Sequence, residues 1–163
     1  MFYGNIRDNI RLYNQAITDK EVEEAAKFVQ ADRFIQSLKS GYDHKVIERG
    51  ASFSSGQRQL ISFARTIVTD PQILVLDEAT ANIDTETESM IQTGLRRMRE
   101  GRTTIAIAHR LSTIKDADLI LVLRKGEIVE RGTHAELLKE RGIYHSMYLL
   151  QNSGMDLDER AVK

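Results

Sequence analysis

The chain has 163 residues, with 23 Lys and Arg against 24 Asp and Glu, for a formal net charge of −1. That balance argues against a basic nucleic-acid-binding surface and against an acidic solvating tail. Hydrophobic residues at 41% and charged residues at 29% fit a chain that buries a core, and the length fits one domain. Without Cys, a disulfide framework, a thiolate zinc cluster and a thiol nucleophile are excluded. The longest aliphatic runs, Ile73 to Leu76 and Leu119 to Leu123, fall far short of the ~20 apolar residues of a spanning helix. Work at a membrane would therefore go through a partner. Met1 to Arg11 mixes Asn, Arg and Asp among its apolar residues, which is not the pattern of a signal peptide.

Met1 to Gln15 reads as an abrupt start with no flexible lead-in. Thr18 with Glu21 three residues on has the form of a capping box, and Val22, Ala25, Ala26 and Val29 follow at the spacing of one helix face. A short helix is expected over Asp32 to Leu38, then a loop from Ser40 to Phe53 with Gly41 and Gly50 as punctuation. Ser54 opens the next helix, whose apolar stripe is Leu60, Phe63, Ala64 and Ile67 and whose end is marked by Asp70-Pro71. Ile73 to Leu76 reads as a strand buried on both faces, the habit of parallel sheets, and so does Thr103 to Ala108. Between them, Thr85 to Arg99 is a helix with Ile91, Leu95 and Met98 on one side. Leu119 to Leu123 and Glu127 to Glu130 flank Lys125-Gly126 as an antiparallel pair, followed by helices over Thr133 to Lys139 and Ile143 to Leu150. Ser153 to Lys163 is a polar tail. Buried strands alternating with helices predict an α/β fold. Two core strands are few for a sheet, and the pattern is that of the second half of something larger.

Three places gather chemistry. At Asp77-Glu78 an apolar strand delivers adjacent carboxylates at its carboxyl end, where open α/β sheets place their ligands. Neighbouring strand residues point to opposite sides, so one acid suits Mg²⁺ and the other an attacking water. A strand ending in a solvated acidic turn would look the same in isolation. Phe53-Ser54-Ser55-Gly56-Gln57 starts a helix with a capping Ser, and its amides with the positive end of the dipole form an anion site. An ordinary N-cap with an incidental Gly is the alternative. His109 stands just past the second strand, and Asn82 and Asp84 lie in the loop after the paired acids.

In that order the features resemble the nucleotide-binding domain of ABC transporters, over about Met1 to Leu150. Phe53 to Gln57 resembles the family signature LSGGQ, Ile73 to Glu78 the Walker B strand, Ala81 to Asp84 the D-loop and His109 the switch histidine. Glu48-Arg49-Gly50 resembles the loop by which exporters contact their transmembrane coupling helices. The resemblance implies a P-loop-type ATPase fold of parallel core strands with flanking helices, a helical signature subdomain over 1–72, the carboxyl-terminal part of the core over 73–152, and a tail over 153–163. It implies ATP and Mg²⁺ as cofactors, a second nucleotide-binding domain and the transporter's transmembrane domains as partners, no nucleic acid, and a place at the cytoplasmic face of the membrane through the transporter.

By the same resemblance Asp77 holds Mg²⁺, Glu78 is the general base, and His109 contacts the γ-phosphate and the attacking water. Ser54, Ser55, Gly56 and Gln57 address the γ-phosphate held by the opposite domain, and Asp84 reaches across to the partner's P-loop. Glu48 and Arg49 pass closure to the membrane part. The family's G-x-x-x-x-G-K-[ST] P-loop does not occur here, since none of the Gly residues is followed by Lys. Met1 to Ile10 resembles the stretch after the family's Gln-bearing loop, so the chain is expected to begin partway through the domain and to be inactive alone, with apolar sheet edges left uncovered. Ser55 stands where the family has Gly and Phe53 where it has Leu, while Glu78 and His109 match the competent pattern. That combination resembles one subunit of a heterodimeric multidrug exporter with a degenerate signature. A soluble ABC-type ATPase without transport and a non-enzymatic split-gene fragment are the alternatives.

Overall fold

The computed structural model describes residues 1–47, 50–77, 85–108 and 110–152. The described residues divide into two compact units: one runs to Leu76 and resumes from residue 85 to Ile105, the other holds Asp77 and everything from Ala106 onward.

The first unit is mainly helical. Strand β1 (Gly4–Asn5) leads into α1 (Ile6–Arg11), where Asn5 is the N-cap and its side chain accepts from the Asp8 amide at 2.7 Å. Helix α2 (Asp19–Phe28) starts at the expected capping box, with both Thr18–Glu21 bonds formed. Helix α3 (Asp32–Ser37) follows as predicted. The expected loop from Ser40 to Phe53 is more structured than its sequence suggests. It contains a 3₁₀ turn at Gly41–Asp43 and a strand β2 (Lys45–Val46), which pairs antiparallel with β1 through Gly4↔Val46 and Asn5↔Lys45. Two-residue strands have no period to read, so this pairing and α1 were beyond the pattern.

Helix α4 (Ser55–Ile67) packs against α1, α2 and, further along the chain, α5 (Thr85–Arg99). Its buried stripe of Leu60, Ile61, Phe63, Ala64 and Ile67 meets Val22 and Ala26 of α2 and Ile91, Leu95 and Met98 of α5 in one cluster. Gly94 of α5 is required by this packing. A Cβ there would stand 3.0 Å from the Val29 carbonyl oxygen, a backbone atom with little room to retreat.

Strand β3 (Ile73–Asp77) pairs with β4 (Thr103–Ile107) in parallel, joined through α5. Arg102 locks the two strand entrances, donating to the Pro71 carbonyl at 3.0 Å and to the Asp70 carboxylate at 2.7 Å. Burial on both faces is not what this chain supplies. Leu74 is buried, but Ile73, Val75, Ile105 and Ile107 are 63%, 68%, 57% and 56% exposed. The correction has a simple cause: β3 and β4 form a two-stranded sheet, and nothing among the described residues covers its other face.

In the second unit, β5 (Ile120–Arg124) and β6 (Glu127–Gly132) form the expected antiparallel hairpin, with a register shift between Val122 and Leu123. Lys125 and Gly126 both take positive φ, 52° and 85°, as a two-residue primed turn requires. Helices α6 (His134–Glu140) and α7 (Ile143–Asn152) close a small core of Leu111, Ile120, Val122, Leu137 and Tyr144. Thr133 and Glu136 form a third capping box at the start of α6. The expected polar tail, 153–163, lies outside the described residues.

Candidate nucleotide-facing site

The signature-like turn is built by the start of α4. Ser54 is the N-cap in extended backbone. Its Oγ accepts from the Gln57 amide at 3.1 Å, and Gln57 Oε1 accepts from the Ser54 amide at 3.1 Å. These reciprocal bonds satisfy two donors that a helix start leaves open. The Ser54 hydroxyl keeps its own proton to donate outward, because an accepting hydroxyl still has its O–H. Ser54 and Ser55 are exposed, Gln57 is half-buried and Gly56 is buried. The first turn of α4 carries no acidic residue, so nothing opposes an anion at the positive end of this 13-residue helix.

The turn is braced from behind. Phe53 is buried and meets the His44 ring edge-on, with centroids 5.9 Å apart. Arg58, one turn into α4, donates to the Phe53 carbonyl and to the Gly50 carbonyl, the latter at 3.3 Å. Phe53, the departure from the family's Leu, is thus an anchor that leaves the two serines facing out.

Asp77 is the last residue of β3 and is exposed, while Leu74 anchors the strand in the core. Among the described residues no cluster of three metal-ligating side chains occurs. A single free carboxylate still fits Mg²⁺, which keeps most of its waters and takes one or two carboxylates together with phosphate oxygens. It would not fit a cation that needs a protein cage. Glu78, Asp84, His109, Glu48 and Arg49, the remaining expected site residues, lie outside the described residues. In sequence, Glu78 directly follows the end of β3, and His109 comes two residues after the end of β4.

Two residues that the motifs did not single out support this region. Asn9 is fully buried, and Arg65 of α4 donates to its backbone carbonyl at 2.8 Å. Burial lowers the pKa of the Arg65 guanidinium from its ordinary value. No local pattern marks such a pair, because its partners are 56 positions apart in the chain.

Residues 4–81 match the family described as ABC transporter. The ABC transporter ATP-binding protein exp8 of Streptococcus pneumoniae is 61% identical over 155 residues, which is 95% of this chain and 26% of that protein. The multidrug resistance ABC transporter ATP-binding/permease protein YheH of Bacillus subtilis is 54% identical over 93% of this chain and 22% of its own length. Among solved structures, a bacterial Atm1-family ABC exporter with ATP bound superimposes with a TM-score of 0.82 at 44% identity, over 93% of this chain and 26% of that one. The chain spans about a quarter of the length of the relatives it matches. Family match, level of identity and superposition agree with the order of the motifs: the chain is similar to part of the ATP-binding domain of exporter-type ABC transporters.

Proposed function

We propose that this chain supplies the signature face and the water-activating acid of an ATP-hydrolysing subunit that powers export across a membrane. The observation that carries the reading is the start of α4, where a closed capping box turns the Ser54 and Ser55 hydroxyls outward on a helix start free of acidic residues. That arrangement suits the γ-phosphate of an ATP held by the P-loop of a second nucleotide-binding domain. Asp77 would hold Mg²⁺, which when bound neutralises charge on the phosphate oxygens. Glu78 acts as general base toward the attacking water, a role worth roughly 10²–10⁴-fold in rate. His109 holds the γ-phosphate and that water, and Asp84 positions the P-loop of the opposite domain. Glu48 and Arg49 carry closure to the transmembrane domains, which places the chain at the cytoplasmic face of the membrane through the transporter. Ser55 brings a Cβ and a hydroxyl where the family pattern has Gly. This favours a heterodimer in which this signature serves the weaker composite site while Glu78 serves the stronger one.

The test is a titration with a fluorescent ATP analogue and Mg²⁺, first of this chain alone and then of a complete transporter carrying its sequence. The chain alone should show no saturable micromolar binding and no hydrolysis, since the phosphate cradle is not in it. In the complete transporter, Glu78→Gln should remove most turnover and Ser55→Gly should change it far less. Micromolar ATP binding by the isolated chain, or a larger effect from Ser55→Gly, overturns the assignment.

A further inference from the structure

Asn9 is a fully buried polar side chain with its amide group fully engaged. Its Oδ1 accepts from the Phe2 amide at 2.8 Å and from Arg65 Nη2 at 3.4 Å. Its Nδ2 donates to the carbonyls of Phe2 and Asn5, both at 2.9 Å. The Arg65 guanidinium adds a bond to the Asn9 carbonyl at 2.8 Å and lies over the Phe2 ring, 5.3 Å from its centroid. The first residues of the chain are therefore pinned to the far part of α4.

The other end of this strap touches the signature turn. Met1 covers Gly50, where a Cβ would stand 2.7 Å from the Met1 sulfur, and Gly50 sits at φ +83°. The Gly50 carbonyl accepts from the Phe53 amide at 3.0 Å and from Arg58 at 3.3 Å, and Ser54 is the next residue. Arg65 lies ten residues beyond Ser55, about 15 Å along the helix. Met1 and Phe2 thus link the Arg65 side chain to the turn that precedes the N-cap of α4.

We propose that Asn9 and Arg65 are positioning residues: they lock the strap of residues 1–5 to Arg65 of α4 and through Met1 and Gly50 hold the turn that presents Ser54 to Gln57, so that strap and signature turn move as one body. The proposal deepens the functional reading above, because it gives the signature turn a mechanical input. It is tested without nucleotide, so its failure and that of the nucleotide assignment are separable.

The experiment is hydrogen–deuterium exchange on the whole chain, comparing wild type with Arg65→Lys. Lysine keeps the charge but cannot serve Asn9 O and Oδ1 together while stacking on Phe2. Exchange should rise at least tenfold both in residues 1–9 and in residues 50–57, with residues 87–99 of α5 unchanged. A rise confined to residues 1–9 shows a mere tether and overturns the proposal. An equal rise through α5 shows general loss of stability and does the same. Phe2 is 53% exposed, so Phe2→Ala leaves the fold intact if Arg65→Lys does not fold. It should loosen residues 50–57 at least threefold, and an unchanged turn there rejects the linkage.

Discussion

The polar residues of the first unit show how much depends on partners rather than on residue type. Tyr42 is 5% exposed and donates to the Asp32 carboxylate at 2.7 Å, with the Arg7 guanidinium 5.3 Å from its ring centroid. Arg7 in turn reaches Glu23 at 3.3 Å and Asp19 at 3.4 Å. Burial, and then the bond to Asp32, push the Tyr42 phenol well above its ordinary pKa of 10.0. A raised folded-state pKa means that the stability it provides is complete below pH 10.0 and is lost as pH rises past that value, where the unfolded chain gives up the proton first. Tyr42→Phe should cost about 1 kcal/mol at neutral pH through the lost hydrogen bond. It should also flatten the fall of the urea midpoint above pH 10.0, and an unchanged alkaline slope would refute this account. The capping residues Thr18 and Ser54 were legible in the sequence because each acts on a neighbour three residues away, whereas Thr133 was read only as the start of its helix and is in fact its N-cap. Asn9 and Arg65 were not legible, since an Asn is read as a turn former until the burial that encloses it is known.

The same contrast of local and distant causes holds for whole elements. Helices α2, α4, α5, α6 and α7 follow from periodicity and caps, and the β5–β6 hairpin follows from a two-residue turn with apolar flanks. Helix α1 escaped notice because six residues show only Ile6 and Ile10 on one face, and β1–β2 because two residues per strand carry no alternation. Helix α7 adds a feature that no local window contains. The Glu130 carboxylate of β6 accepts from the Ile143 amide and from the Tyr144 amide, the latter at 2.9 Å, and so caps α7 from a neighbouring strand. Tyr144 then hydrogen-bonds His134 at 2.8 Å, joining α7 to α6. Two charge-assisted bonds at a helix start make this cap stronger than a neutral one. Glu130→Gln keeps the size but removes the charge, and should cost about 1–2 kcal/mol in the second unit. Circular dichroism of thermal unfolding should show the loss, and a change under about 0.3 kcal/mol would mean that packing of Tyr144 alone holds α7.

At the scale of the molecule, the apolar surface is the feature that composition concealed. A 41% hydrophobic chain reads as one that encloses its core, yet Ile73, Val75, Ile105 and Ile107 stand 56% or more exposed on β3 and β4. The second unit likewise exposes Leu121, Leu123 and Ile128 of its hairpin, at 45%, 65% and 57%. The run Ile73 to Leu76 forms the expected parallel strand without the burial expected on both faces, and its sequence is written for cover that the described residues do not supply. Burying such surface is worth about 25 cal/mol per Å², enough for a few side chains to drive association. The isolated chain should therefore self-associate through the β3–β4 sheet. Val75→Thr with Ile105→Thr keeps β-branched side chains on both strands while replacing a methyl-bearing surface with hydroxyls, so the strands should persist. Sedimentation velocity should show wild type as oligomers and the double variant shifted toward monomer at equal concentration. If both sediment alike as oligomers, the contact lies elsewhere, and the hairpin residues Leu123 and Ile128 become the pair to change. If wild type is monomeric, the exposed sheet is tolerated by water and the argument from apolar area fails.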